Sequence, residues 1–282
     1  LRGDPAEGVG GLDASLTAEI LGLLLAQRDK HGTAILMLSH DLAGVGRTAD
    51  RVAVMEHGAI VEQGRIGDVF RSPKSPYTRH LLASRDAEAM PPTGTAASGA
   101  VVARLENVTF SFPAPMGTAP RPILHGIDLT IPAGEVLGLI GESRSGKTTI
   151  GRLLLGQLQP TGGSATIKGR PAHMTPPGTI AAVLQNPDWA MNPRLRVGRS
   201  VAEPIRHTPS AEREAAVAAA LEAVGLSAEL ARRYPGELSG GQKQRASLAR
   251  ALVANPEFTI FDEPVSALDA AVQRQVMDVL AG

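Results

Sequence analysis

The run Glu135-Val136-Leu137-Gly138-Leu139-Ile140 leads straight into Gly141-Glu142-Ser143-Arg144-Ser145-Gly146-Lys147-Thr148-Thr149, and this junction decides the fold. EVLGLI is short and almost wholly apolar, which reads as a strand buried on both faces. The residues after it fit the spacing G-x-x-x-x-G-K-S/T. From Thr149 to Leu158 apolar residues then recur at helical spacing. A strand, a glycine-rich turn and a helix in this order aim backbone N–H groups and the positive end of a helix dipole at an anion. Gly141, Glu142, Ser143, Arg144, Ser145, Gly146, Lys147, Thr148 and Thr149 are therefore predicted to cradle a phosphate chain. Lys147 would reach the β- and γ-phosphates of a nucleotide, and the Thr148 hydroxyl would coordinate Mg²⁺. A chance glycine turn before a lysine would share the letters but not the flanking strand and helix.

Downstream, the apolar run Phe258-Thr259-Ile260-Phe261 ends in Asp262-Glu263. Asp262 is expected to hold Mg²⁺, and Glu263 to polarise an attacking water for in-line phosphoryl transfer. Alone, two acids after an apolar run would serve equally as a cap or a solvated turn; their distance beyond the phosphate loop gives them weight. Two alternating stretches, Val101–Phe112 and Ile123–Ile131, predict an antiparallel pair, and Ser210–Val224 predicts a helix. Nearer the start, Thr33–Leu38 is another buried strand, ending in Ser39-His40-Asp41. Val52–Met55 and Ala59–Val61, joined through Glu56-His57-Gly58, read as a hairpin. Buried strands alternating with helices predict an α/β sheet with its chemistry at the carboxyl ends of the strands.

Composition bounds the rest. Over 282 residues, 28 basic side chains face 28 acidic ones, so no global field draws nucleic acid or an anionic membrane. Cysteine is absent, which excludes disulfides and thiolate metal sites. No apolar run reaches the roughly 18 residues of a membrane span. The opening LRGDPAEGVGG lacks the pattern of a signal peptide, so a cytoplasmic protein is expected.

Between the two phosphate-linked motifs stands Leu238-Ser239-Gly240-Gly241-Gln242-Lys243-Gln244-Arg245. LSGGQKQR resembles the signature of ABC ATPases, and physically it is a second helix start able to meet an anion. The resemblance implies a P-loop NTPase fold with a mixed sheet core, an antiparallel β subdomain and a helical subdomain. It implies that Ser239, Gly240, Gly241 and Gln242 complete the ATP site of a partner domain. Gln185 in VLQNPDWAMNP resembles the Q-loop glutamine, implying a contact to Mg²⁺ and the attacking water. Phe112 occupies the place of the aromatic that stacks on adenine, and Ser266-Ala267-Leu268-Asp269 that of the D-loop. His40 resembles the switch histidine at the γ-phosphate. The tail Arg71-Ser72-Pro73-Lys74-Ser75-Pro76-Tyr77-Thr78-Arg79-His80-Leu81-Leu82 is similar to that of the peptide/nickel class of ABC importers.

The class implies an ATP-hydrolysing subunit at the cytoplasmic face of the plasma membrane, with ATP and Mg²⁺ as cofactors. Its implied partners are a second ABC ATPase domain, transmembrane permease subunits docking near residues 186–234, and indirectly an extracytoplasmic solute-binding protein. Nucleic acid is not among them. The alternatives are a truncated, non-catalytic nucleotide-binding fragment and a soluble ABC ATPase of repair or translation, against which the Pro-Tyr-Thr tail argues. One departure is Arg144, where the family usually carries glycine; a positive φ there would strain it.

The order of the motifs is unusual. An ABC ATPase domain runs from phosphate loop to switch histidine and tail, whereas here the histidine and tail come first. Leu12-Asp13-Ala14 and Leu268-Asp269-Ala270 mark the same point twice. The expected reading is the end of one ATPase domain (1–85), a linker (86–101), and a second domain (102–282) cut before its own switch histidine; the alternative is a natural circular permutation, against which the repeated Leu-Asp-Ala stretch argues. The second segment then lacks a central strand, and unpaired backbone inside a sheet is costly. Thr33–Leu38 is predicted to fill that gap, lying beside Leu137 and Leu139.

Overall fold

The computed structural model describes residues 22–83 apart from 24 and 41, and residues 99–113, 120–183 and 191–262. Residues 28–182 and 255–262 of this set form one unit, and residues 191–254 belong to another.

The first unit carries both sheets. Its main sheet has six strands: β1 (Ala34–Ser39), β2 (Arg51–Glu56), β3 (Ala59–Arg65), β6 (Val136–Gly141), β9 (Ile180–Val183) and β10 (Phe258–Asp262), in the order β3-β2-β6-β1-β10-β9. β1 runs parallel to β6, with Leu36 opposite Leu137 and Leu38 opposite Leu139. On its other side β1 runs parallel to β10, where Leu36 faces Ile260 and Leu38 faces Asp262. The early strand thus fills the central gap expected from the motif order. Every residue of β1 and of β6 is buried, as befits strands covered on both faces. The hairpin is also present: β2 pairs antiparallel with β3 and parallel with β6.

The second sheet is antiparallel, with β4 (Val101–Phe112) between β5 (Arg121–Pro132) and β7 (Gly162–Ile167), and the short β8 (Arg170–Pro171) at its edge. Irregularities at Asn107 (φ 46°) and Gly126 (φ 71°) reset the alternation along β4 and β5, so that Leu105, Phe110, Leu124 and Leu129 all join one core with Leu36, Leu137 and Ile260 of the main sheet. Three helices follow the early strands in sequence: α1 (Leu42–Thr48), α2 (Ile66–Arg71) and α3 (Pro76–Ala83). The helix after the phosphate loop, α4 (Lys147–Leu154), lies so close over β1 that a Cβ on Gly151 would stand 2.9 Å from Leu38 Cδ1.

Polar contacts hold the early segment at the start of β6. The Asp50 carboxylate accepts from Val136 N at 2.8 Å and faces Arg28 at 3.5 Å. Arg51 Nη1 donates to Glu135 Oε1 at 2.8 Å and to Thr130 O at 3.1 Å. Burial raises the pKa of Asp50, opposed by the Val136 N–H and by Arg28; burial likewise raises that of Glu135, opposed by Arg51. Because desolvation of a buried ion pair offsets much of its attraction, these contacts are not counted as net stability.

The second unit is helical: α5 (Val197–Val201), α6 (Ser210–Ala223) and α7 (Gly240–Leu252) pack on one another with short 3₁₀ turns between them. Leu221, Ala246, Leu248 and Ala249 are among its buried side chains. Among the described residues no helix is long and apolar enough to cross a membrane.

Candidate nucleotide site

β6 delivers its last residue, Gly141, against the β2 backbone, and a side chain there would meet Met55 O at 2.3 Å. The loop then turns up into α4 through Gly146, the N-cap residue, at φ 108°. A side chain at that turn would stand 2.7 Å from Leu124 Cδ2. Gly141 is thus required by its close approach to backbone and Gly146 by its positive φ, and such glycines let a loop bring backbone N–H groups up to a phosphate. Lys147 is 7% exposed, and its ammonium donates to Gly141 O at 2.7 Å and to Glu142 O at 2.9 Å. A buried cation therefore underlies the loop. The Ser145 hydroxyl is buried with no hydrogen-bond partner among the described residues. An anion inside the loop would suit both groups.

Arg144 adopts φ 72°, the left-handed region anticipated as the cost of replacing glycine. A side chain there costs about 1 kcal/mol, partly offset because arginine also restricts the unfolded chain. Arg144→Gly should therefore raise stability by about 0.5–1 kcal/mol. Thermal denaturation would show this as a Tm gain of about 2–3 °C, and a loss would mean that the arginine side chain makes a compensating contact.

The parallel register brings the carboxyl ends of three strands to one edge. Leu38 is level with Asp262 and Ser39 with Ile140, so His40, Gly141 and Asp262 follow at that edge. His40 is exposed, Asp262 half-buried and Thr148 exposed on the first turn of α4. A hydroxyl and a carboxylate are hard oxygen donors of the kind Mg²⁺ takes. On β4, Phe112 is 41% exposed and meets buried Phe110 edge to face, with ring centroids 5.0 Å apart. Its outward ring is available for stacking. Glu263, Gln185 and the stretch Ser266–Asp269 lie outside the described residues.

In the helical unit, Ser239 caps α7. Its hydroxyl accepts from Gln242 N at 3.3 Å, and Gln242 Oε1 accepts from Ser239 N at 3.0 Å. This reciprocal pair is a capping box, legible in the S-x-x-Q spacing. It fixes the glycine pair Gly240-Gly241 at the helix start, as an anion-facing turn requires.

Two contacts to the loop have no signature in the sequence pattern. Glu142 N donates to the Tyr77 hydroxyl at 3.2 Å, and Gly58 N donates to Ser145 O at 3.0 Å. Both come from the early segment, tens of residues away in the chain.

The fold and the loop define a phosphate-loop α/β protein. Residues 124–266, about half of the chain, match the family described as ABC transporter, and the chain belongs to that family. Among solved structures, the ATP-binding cassette MJ0796 has a TM-score of 0.52 at 28% identity, covering 63% of this chain and 81% of that one. cbiO1 from Clostridium perfringens gives 0.51 at 26%, covering 64% and 72%. Among curated relatives, the peptidoglycan transport ATP-binding protein YejF of Agrobacterium fabrum is 42% identical over 95% of this chain and 52% of its own length. The glutathione import ATP-binding protein GsiA of Escherichia coli K12 is 35% identical over 95% and 49%. The chain spans about half the length of the curated relatives it matches.

Proposed function

We propose that the chain is the ATP-binding and ATP-hydrolysing part of a membrane importer for peptides or related small solutes, working at the cytoplasmic face of the plasma membrane. The observation that carries this reading is the phosphate loop around buried Lys147, at the same sheet edge as His40 and Asp262. Relatives named for peptidoglycan transport and glutathione import support the importer role. One alignment running through 95% of the chain supports the two-segment reading, an end of one ATPase domain followed by most of the next.

In this reading Phe112 stacks on adenine, while Lys147 and the loop N–H groups beyond Glu142, whose own N–H is held by Tyr77, hold the phosphates. Thr148, Asp262 and Gln185 would hold Mg²⁺, which would offset the phosphate charge. Glu263 accepts a proton from the attacking water, and His40 orients the γ-phosphate. Ser239, Gly240, Gly241 and Gln242 serve the site of a second ABC ATPase domain, so one chain of this kind supplies half of each of two sites. Permease subunits receive the resulting motion, and a solute-binding protein acts through them.

Phosphate release by the chain, beside Glu263→Gln, tests the reading. Glu263→Gln should bind Mg-ATP normally and hydrolyse it about 100-fold more slowly or worse. Wild type that binds no Mg-ATP would overturn the reading. Binding with equally negligible turnover in both would instead favour a non-catalytic nucleotide-binding fragment.

A further inference from the structure

The Tyr77 hydroxyl accepts from the Glu142 backbone N–H at 3.2 Å, at the residue that opens the phosphate loop. Tyr77 is half-buried on the first turn of α3, and its position is set by an unusually well-tied approach. Both oxygens of Glu62 accept from the backbone just before the helix, Oε1 from Lys74 N at 2.8 Å and Oε2 from Ser75 N at 2.9 Å. Arg79 Nη1 donates back to Pro73 O at 3.3 Å and Lys74 O at 3.1 Å. Thr78 and Leu82 of the same helix are buried. The hydroxyl is therefore presented by a braced element rather than by a loose tail.

Glu142 O also accepts from Lys147 Nζ at 2.9 Å. One residue thus connects Tyr77 through its N–H and the phosphate-binding lysine through its carbonyl. At the far end of the loop, Gly58 N holds Ser145 O, and Gly58 O accepts from His125 N at 2.9 Å. The loop is pinned at both ends by the early segment. A phosphate ligand meets a loop already shaped for it, and less of its binding energy goes into ordering the backbone.

Resting on the nucleotide reading above, we propose that Tyr77 is a positioning residue for the nucleotide phosphates, fixing the opening of the phosphate loop through the Glu142 amide. Tyr77→Phe keeps the ring and removes only the acceptor. It should weaken equilibrium binding of Mg-ATP about five- to tenfold, the usual worth of one such hydrogen bond. It should also speed hydrogen exchange at the Glu142 amide in the nucleotide-free chain, with Tm shifted by no more than about 2 °C.

A Tyr77→Phe dissociation constant within twofold of wild type overturns the proposal. Faster Glu142 exchange alongside it would show the bond to be purely structural, and unchanged exchange would show it to be absent. Should wild type itself bind no Mg-ATP, the nucleotide reading falls and this proposal with it. Normal wild-type binding with an unaffected variant removes the Tyr77 role alone.

Discussion

Leu36→Asp is expected to unfold the sheet-bearing unit, with a loss of about 5 kcal/mol or more. Leu36 is 0% exposed, level with Leu137 on one side and Ile260 on the other. Removing a buried leucine costs about 2–5 kcal/mol in transfer and cavity terms. An unpaired carboxylate in the same place adds several more, or protonates at a smaller penalty. The sum rivals the whole stability of a domain, about 5–15 kcal/mol. Circular dichroism and urea unfolding would register it, with Leu36→Ala as the milder comparison at about 3 kcal/mol. The result bears directly on chain organisation. A residue 34–39 segment outside the sheet would tolerate aspartate almost unchanged, and that outcome would remove β1 from between β6 and β10.

Lys147→Ala is expected to weaken Mg-ATP binding and hydrolysis by about 100-fold or more, the scale on which loss of one preorganised charge donor is felt. Two effects combine. The β- and γ-phosphates lose a cation held in a largely dry position, where its field is least screened. Gly141 O and Glu142 O also lose their shared donor, so the opening of the loop loosens. Lys147→Arg should not rescue it, because a planar fork does not replace a compact ammonium reaching from the same turn. Calorimetric titration with Mg-ATP and a phosphate-release assay read both effects. An unchanged dissociation constant would mean that the loop is not where the phosphates sit.

The phosphate loop was legible because its chemistry forces a rigid spacing on adjacent residues. The strands around it were legible for a similar reason: EVLGLI and Thr33–Leu38 are apolar along their length, as strands covered on both faces must be. The central place of β1 did not follow from periodicity. It followed from the order of motifs, together with the need to fill a gap in the sheet. Helix length is less legible. The apolar spacing predicted a helical run to Leu158, yet α4 ends at Leu154, because Gly156 takes φ 70° and its N–H bonds to Leu153 O at 3.0 Å. Glycine in a left-handed turn is an ordinary helix stop, outweighed in the reading by the leucines around it. In the sequence Tyr77 is one residue of the Arg71–Leu82 tail and carries no mark of its own. Its bond to Glu142 joins residues 65 apart, and no local pattern encodes such a contact.

β1, which lies inside the main sheet between β6 and β10, is also the first of the described strands in sequence. β1 finds one neighbour about 100 residues later in β6 and the other more than 220 residues later, where Leu36 meets Ile260. At synthesis rates of about 5–20 residues per second, Ala34–Ser39 waits roughly 10–45 s for its last partner. Until β6 emerges AILMLS lacks both of the neighbours it has in the finished sheet, and from then until β10 emerges it lacks one. Such long-range pairing makes for slow folding, and an exposed strand of this kind is a template for self-association. The order of the strands thus places a demand on the growing chain that the finished sheet, with β1 paired on both sides, no longer shows.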